Sequence, residues 1–279
     1  MQFETRITWE KLLLELRNLQ AEDYSSLIPL MIGTNGILWP KEPVESVFRQ
    51  VRFLEFELAN QCTGKTDAEK VDLLNRFLFD ACGFQTLAVA WPDVEEGDLL
   101  LKPVLQNKIG HPLTITCLYL HLGLSLGLPL TLVHARSNCI LKFELSYLDI
   151  QQKGRALSEC EVFKVCQKAS METWDARTVF RGYLEELMRL FEQTGQQQQL
   201  HSVYNLCLQL DDANLPVLAR RALLRHRLGF ATEALTDLKR YFSFVDRGHA
   251  PIELQKAMLD LENPGASIPL VTPPSGHLH

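Results

Sequence analysis

Residues 110–144 read GHPLTITCLYLHLGLSLGLPLTLVHARSNCILKFE, and this segment decides the fold. It opens with Gly110-His111-Pro112-Leu113-Thr114 and continues as an apolar run that predicts a helix from Ile115 to Leu126. Gly127-Leu128-Pro129 ends that helix, because glycine followed closely by proline is typical of a helix C-terminus. Two strand-like segments follow, Leu130 to Ala135 and Cys139 to Leu145.

Length and composition favour a stable protein of about two domains without a nucleic-acid or membrane role. The chain has 279 residues, 46% of them hydrophobic, and a formal net charge of -6 with a pI near 5.8. Proteins that neutralise phosphates or anionic lipids concentrate basic charge on one face. The first residues lack the regions of a signal peptide, and no window reaches the roughly 18 apolar residues of a membrane span. We therefore expect a cytoplasmic protein with no nucleic-acid and no membrane partner.

The cysteines fit neither a disulfide framework nor a zinc ribbon. They are odd in number, widely spread and contain no CxxC pair. We expect them to be reduced and mostly buried, and we expect no metal and no cofactor. The seven are Cys62, Cys82, Cys117, Cys139, Cys160, Cys166 and Cys207.

The N-terminal third reads as helical. Apolar periodicity and start signals predict helices from Thr8 to Leu19, from Pro43 to about Asn60, and from Thr66 to Gly83. The third begins with Thr66-Asp67-Ala68-Glu69, which resembles a capping box. Residues 85–98 then read as a long irregular loop, and long ordered loops are often functional, although a surface excursion is the commoner explanation.

A second periodicity follows residue 175. Gly195 and Gly229 are 34 residues apart (229 minus 195), and each lies between two helical patterns. Thirty-four residues is the tetratricopeptide period. The first repeat is degenerate, because Met188 and Leu200 stand where the second has small residues. A last helix, Ile252 to Leu261, would cap the stack.

The order and spacing of several motifs resemble the bacterial SirB family, over roughly residues 40–262. The motifs are Leu73 to Phe79 with Gly83-Phe84, Leu101 to Leu105, Gly110 to Thr114 with Leu118-Tyr119-Leu120, Leu126 to Pro129, Leu141 to Glu144, and Leu148-Asp149 with Gly154 to Ser158. The resemblance implies an α+β fold. Its parts would be a helical segment and a transglutaminase-like (papain-like) core over residues 1–174, all-α tetratricopeptide-like repeats over 175–262, and a flexible tail over 263–279.

The resemblance also places a catalytic triad on this chain. In the wider superfamily a Cys near the helix start attacks an acyl group, a His on the next strand activates it, and an Asp or Asn orients the His. By position these roles fall on Thr114, Asn138 and Asp149. A Thr hydroxyl gains little from a helix N-terminus because its pKa is far above neutrality, and an Asn cannot act as its base. The sequence therefore predicts a catalytically degenerate centre, in which the Asn138 amide hydrogen-bonds Asp149.

Other side chains could replace the missing groups. His111 is the backup base, although its more frequent role at a helix start is capping. His134 lies about 13 Å along the strand from Asn138. Cys117 is the backup nucleophile, and with His121 it could ligate a metal, although a buried Cys and a satisfied His are commoner on so apolar a helix.

The repeat region offers a binding chemistry instead. The first helix of the second repeat carries four arginines that could hold acidic side chains or a peptide carboxylate, and the alternative is a solvated helix face. They are Arg220, Arg221, Arg225 and Arg227.

The sequence favours a protein-binding adaptor or regulatory scaffold that uses the degenerate cleft and the repeats. One alternative is a residual acyl-transfer or peptidase-type enzyme that uses Thr114 or Cys117 with a non-standard base. Another is a cleft that binds a small ligand without turnover. We expect the partner to be a protein or peptide, and the arginines favour an acidic one.

Overall fold

The computed structural model describes residues 9–40, 44–88, 93–135, 138–165 and 173–263. By its internal contacts the chain divides into two compact units, Met1–Leu210 and Asp211–His279. The sequence prediction placed a domain boundary at 174/175, whereas this division falls after residue 210. Parts of the predictions above lie outside the described residues, namely Thr8, Pro43, residues 89–92 of the predicted loop, Cys166 and residues 264–279.

The first unit is mainly helical. Its helices are α1 (Trp9–Asn18), α2 (Leu27–Leu38), α3 (Val44–Cys62), α4 (Asp67–Asn75), α5 (Glu96–Leu99), α6 (Leu101–Asn107), α7 (Pro112–Ser125), α8 (Glu159–Val165), α9 (Ala176–Thr194) and α10 (Gln197–Leu210). A π-helical turn, Arg76–Ala81, continues α4. The capping box predicted at Thr66 is present, since Glu69 N donates to Thr66 Oγ1 and Thr66 N donates to Glu69.

A small antiparallel sheet follows α7. Its strands are β3 (Leu130–Ala135), β4 (Asn138–Phe143), β5 (Ser146–Asp149), β6 (Arg155–Leu157) and β7 (Thr173–Trp174), in the order β6-β5-β4-β3-β7. A separate parallel pair joins β1 (Gln85–Thr86) to β2 (Ile109–Gly110). The predicted bounds of β3 are confirmed. The predicted end of β4 at Leu145 is wrong, because Glu144 adopts φ 50° and Leu145, 98% exposed, turns the chain into β5.

Helix α7 is the centre of this unit. It packs on one side against α2, α3 and α4 and on the other against β3 and β4. Almost all residues of α7 are buried, because the helices cover one side of it and the sheet covers the other. Gly123 permits the approach to the sheet, because a Cβ there would meet Leu130 Cδ1 at 2.3 Å.

The second unit is a small helical assembly. Its helices are α11 (Leu215–Arg227), α12 (Ala231–Phe242) and α13 (Ile252–Glu262), which pack against one another. Gly229, at φ 80°, makes the turn between α11 and α12. The predicted last helix, Ile252 to Leu261, is confirmed as α13, which extends one residue further, to Glu262. Within the described ranges, no helix combines the length and apolarity that a membrane span needs.

Candidate functional site

The site predicted from the sequence lies at the N-terminus of α7. His111 is the N-cap, and its Nδ1 accepts a hydrogen bond from Leu113 N at 3.3 Å. Pro112 follows at the first helical position, where its missing N–H costs nothing. The main-chain N of His111 donates to Asp98 O at 2.7 Å. The segment around α5 is thereby fixed against the start of α7.

Thr114 is sealed inside this junction. Its side chain is 0% exposed, and its Oγ1 donates to Leu99 O at 3.2 Å. A nucleophile must reach a substrate and give up its proton to a base. The Thr114 hydroxyl donates its proton to the main-chain carbonyl of Leu99 instead, and the residue has no exposed surface that a substrate could reach.

On the facing strand, Cys139 is the residue whose side chain meets α7. Asn138 and Cys139 pair through their backbones with Ala135 and His134 in the β3–β4 ladder. The prediction that His134 lies about 13 Å from Asn138 along one strand is therefore wrong, because the two residues lie on neighbouring paired strands. The Cys139 thiol lies beside the Thr116 hydroxyl. Burial raises the pKa of the Cys139 thiol to about 12, so the thiol is protonated at neutral pH. The residue as a whole is half-buried. The side chain of Asn138 lies outside the described part of the structure, so the predicted hydrogen bond of its amide to Asp149 stays a prediction.

The Asp149 carboxylate accepts hydrogen bonds from the turn that follows β5. It is 2% exposed, and its Oδ1 accepts from Gln151 N at 3.0 Å and Gln152 N at 3.3 Å. Its Oδ2 accepts from Gln152 Nε2 at 2.8 Å. These bonds cap a short 3₁₀ turn, which explains a buried carboxylate without a catalytic role.

The backup residues are poorly suited to catalysis. Burial, with a smaller contribution from Arg189, lowers the pKa of His111 to about 4, which makes its imidazole neutral but weakly basic at pH 7. Burial raises the pKa of Cys117 far above its usual range. His121 Nε2 lies 2.6 Å from Glu55 Oε1, so its partner is a carboxylate on α3. No group of three metal-ligating side chains occurs among the described residues.

Sequence reasoning missed a polar network behind the site. Tyr119 Oη donates to Asn75 Oδ1 at 2.8 Å, and Asn75 Nδ2 donates to Gly154 O at 3.1 Å. The Gly154 amide donates to Asp149 O at 2.9 Å. The network joins α4, α7 and the turn after β5. The family motifs around residues 75, 119 and 154 were the only signal that could have indicated it.

In the second unit the predicted arginines divide into two pairs. Arg221 binds Asp237 through Nε at 2.8 Å and Nη2 at 2.7 Å, and Arg225 Nη1 binds the same carboxylate at 2.8 Å. Asp237 is buried, so these two arginines join α11 to α12. Arg220 and Arg227 are exposed. The part of the predicted binding surface that faces solvent is therefore Arg220 and Arg227.

Comparison with known proteins agrees with this architecture. The chain is 24% identical over 201 residues to F-box only protein 21 from Pongo abelii, a match that covers 65% of this chain and 32% of that protein. The chain thus spans about a third of the length of this curated relative. No solved structure matches. Residues 45–189, which run from α3 into α9 and include α7 and the sheet, match the transglutaminase-like superfamily. The chain belongs to that superfamily.

Proposed function

We propose that this chain is a catalytically degenerate transglutaminase-like protein that acts as a protein-binding adaptor or regulatory scaffold. The observation that carries the proposal is the Thr114 hydroxyl, which is buried and bonded to Leu99 O at 3.2 Å. Acyl transfer needs an accessible nucleophile beside a base. The described side chains around Thr114 offer only a weakly basic imidazole and protonated thiols.

The finer family assignment belongs to the same proposal. We place the chain in the SirB family, with tetratricopeptide-like repeats over residues 175–262. Two features support this. Gly195 and Gly229 are 34 residues apart, and both follow a helix in the left-handed conformation, at φ 69° and 80°. The pairs α9–α10 and α11–α12 are each helical hairpins around such a glycine.

The degenerate centre is tested by mapping the reactivity of the cysteines. The folded protein is treated with iodoacetamide at pH 8, and each site is followed by mass spectrometry. Cys160 is exposed and should react at the rate of an ordinary thiol. Cys117 and Cys139 should react at least about 100-fold more slowly, because burial raises both pKa values and blocks access.

Fast labelling of Cys117 would support the alternative, a residual acyl-transfer enzyme. So would a substrate-derived adduct that Cys117→Ser or Thr114→Ala abolishes. Either result would contradict the proposed degenerate centre.

The binding role is tested on the exposed arginines of α11. We expect a peptide-display library to be enriched in acidic sequences on the immobilised chain, because Arg guanidinium groups pair well with carboxylates. Arg227→Glu should lower the affinity of the enriched peptides about tenfold, whereas Lys239→Glu, the same charge change on α12, should leave it within about twofold. Enrichment of non-acidic peptides, or equal losses in both variants, would contradict an acidic partner at this surface.

A further inference from the structure

A cavity of about 220 Å³ lies in the first unit, between α2, α3 and the junction of α5 with α6. The cavity is distinct from the contact between Thr114 and Leu99, although the segment that contains Leu99 and Leu100 contributes to both. Leu99 O accepts the Thr114 hydroxyl, whereas the next residue, Leu100, lines the cavity. Clefts that hold drug-sized ligands are roughly 300–1,000 Å³. This cavity is therefore suited to a smaller molecule.

The lining of the cavity is apolar inside and charged at one side. The apolar lining consists of Ile32, Trp39, Val44, Val47, Leu100 and Pro103. Glu96 comes from the first turn of α5, and Lys102 and Gln106 lie one turn apart on α6. Lys102 is half-buried and Gln106 is exposed, which places the α6 pair toward the mouth.

The walls are held by contacts that do not depend on a ligand. In the amide orientation that satisfies its neighbours, Asn35 accepts from Leu101 N at 3.2 Å and donates to Met31 O at 3.1 Å. The Trp39 ring packs on Phe191, with 5.7 Å between centroids. A Cβ at Gly36 would meet Val44 Cγ2 at 2.5 Å, so this glycine lets α2 and α3 approach closely. The cavity is thus preformed by α2, α3, α6 and α9.

The charges select the class of ligand. The Glu96 carboxylate and the Lys102 ammonium group both line the cavity, so a zwitterionic ligand complements it better than a ligand with a single charge. Glu96 would repel an anionic ligand, and Lys102 would repel a cationic one. Glu96 Oε2 accepts a hydrogen bond from Gln196 at 3.3 Å, and a carboxylate has further acceptor sites. Lys102 already makes a polar or charged contact within the protein, and its ammonium group has three N–H donors, so it can also bind a ligand carboxylate. Gln106 adds an amide donor one turn further along α6.

We propose that this cavity binds a free apolar α-amino acid of the size of leucine or phenylalanine. The side chain lies among the apolar residues, the ammonium group pairs with Glu96, and the carboxylate pairs with Lys102 and Gln106. Binding at this site requires neither turnover nor a protein partner, so the inference is independent of the adaptor role.

Gly97 provides the variant that fills the cavity. It lines the cavity, its φ is one that L side chains adopt, and a Cβ there would have only Pro103 Cβ within 4 Å, at 3.8 Å. A side chain at residue 97 therefore has room at its Cβ and begins beside Pro103, which also lines the cavity. Asp93 is exposed, lies on the same segment and is not part of the lining, so Asp93→Leu is the matched control.

The first measurement is calorimetric titration of the whole protein with L-leucine and L-phenylalanine. We expect both to bind, Gly97→Leu to weaken binding at least tenfold, and Asp93→Leu to leave it within about twofold. The melting curve of each variant confirms that it is folded. If Gly97→Leu does not fold, Gln106→Trp at the mouth serves as the second occluding variant. Failure of both amino acids to bind the wild-type protein, or equal binding to the folded occluded variant, would overturn the proposal.

The second measurement separates recognition of the two charges. The probes are 4-methylpentanoate, which lacks the ammonium group of leucine, isoamylamine, which lacks the carboxylate, and the uncharged N-acetyl-L-leucine amide. We expect each to bind at least tenfold more weakly than L-leucine. Lys102→Gln should weaken the binding of L-leucine and 4-methylpentanoate but not that of isoamylamine. Glu96→Gln should weaken the binding of L-leucine and isoamylamine but not that of 4-methylpentanoate. If N-acetyl-L-leucine amide bound as tightly as L-leucine, the cavity would recognise only the apolar side chain, and the proposal of an amino-acid site would be refuted.

Discussion

Gly154 has the tightest steric requirement among the residues around the site. Its φ is 73°, and a Cβ built there would lie 1.9 Å from Asn75 Oδ1. That oxygen accepts the Tyr119 hydroxyl, and the same amide donates to Gly154 O. A side chain at 154 would therefore disturb both the backbone conformation and the network that joins the Asp149 turn to α7.

Gly154→Ala should lower the free energy of unfolding by about 3 kcal/mol. Left-handed backbone costs an L residue roughly 1–2 kcal/mol, and each hydrogen bond lost with the displaced Asn75 amide adds about 0.5–1.5 kcal/mol. Gly127→Ala is the control, because its φ is 78° but nothing lies within 4 Å of the added Cβ. It should cost only about 1 kcal/mol. Urea denaturation measures both, and equal losses would show that the Asn75 contact contributes nothing.

Residue types alone predicted a degenerate catalytic pair but not the contacts that Thr114 and Asp149 make. Thr114 was identified from its place at the helix start, whereas its acceptor, Leu99 O, lies 15 residues away. The Asn75 to Gly154 bond spans 79 residues. Such contacts come from tertiary packing, which no local pattern encodes. The contacts of Asp149, in contrast, are local, because its side chain accepts hydrogen bonds from the main-chain N–H groups two and three residues later. Asp is typical of such capping positions, so the sequence could have predicted this role.

Among the elements, local chemistry predicted starts and ends better than buried segments. The Thr66 capping box joins residues only three apart, so the sequence encodes it directly. Helix α2 was not predicted. Its residues LIPLMIGTNGIL are buried on most sides, so they carry no amphipathic period, and Pro29, Gly33 and Gly36 resemble loop signals. The π-helical turn after α4 was missed as well, since propensity does not distinguish it from an α-helix.

The hairpin of α11 and α12 depends on one shared carboxylate. Arg221 and Arg225 are 12% and 15% exposed at the side chain, and Asp237, at 4%, pairs with both. Removing one member of a buried ionic group is costly because the others are left buried and unpaired. Here two guanidinium groups would also repel each other.

Asp237→Asn should destabilise the second unit by about 3–5 kcal/mol. Asp212→Asn is the matched control, because Asp212 pairs with Arg240 at 3.1 Å in the same unit but is 78% exposed, and it should cost no more than about 1 kcal/mol. Hydrogen exchange of the α11 and α12 amides, followed by mass spectrometry, reports the stability of this unit separately. Equal protection in the two variants would show that the buried carboxylate does not hold the hairpin together.

At the scale of the whole molecule, α9 belongs with the transglutaminase-like part. Tyr183 Oη lies 2.8 Å from the Asn35 side chain on α2, and Gly182 lets Trp174 and Leu113 approach. The main-chain N of Ala176 donates to Ala21 O at 2.7 Å. The superfamily match likewise extends to residue 189, within α9. In the proposed repeats α9 is the first helix of the degenerate repeat, and it packs within the first compact unit.

Truncation tests this assignment directly. A chain that ends at residue 210 should unfold cooperatively with a near-native aromatic circular dichroism signal, because it retains every helix of the first unit. A chain that ends at residue 174 should lose that signal and bind a hydrophobic dye. It lacks the nine buried residues of α9, and each large apolar side chain among them contributes roughly 1.5–3 kcal/mol, against a total stability of about 5–15 kcal/mol. Cooperative unfolding of the shorter chain at the same urea concentration would instead place the boundary at 174/175, where the repeat period predicts it.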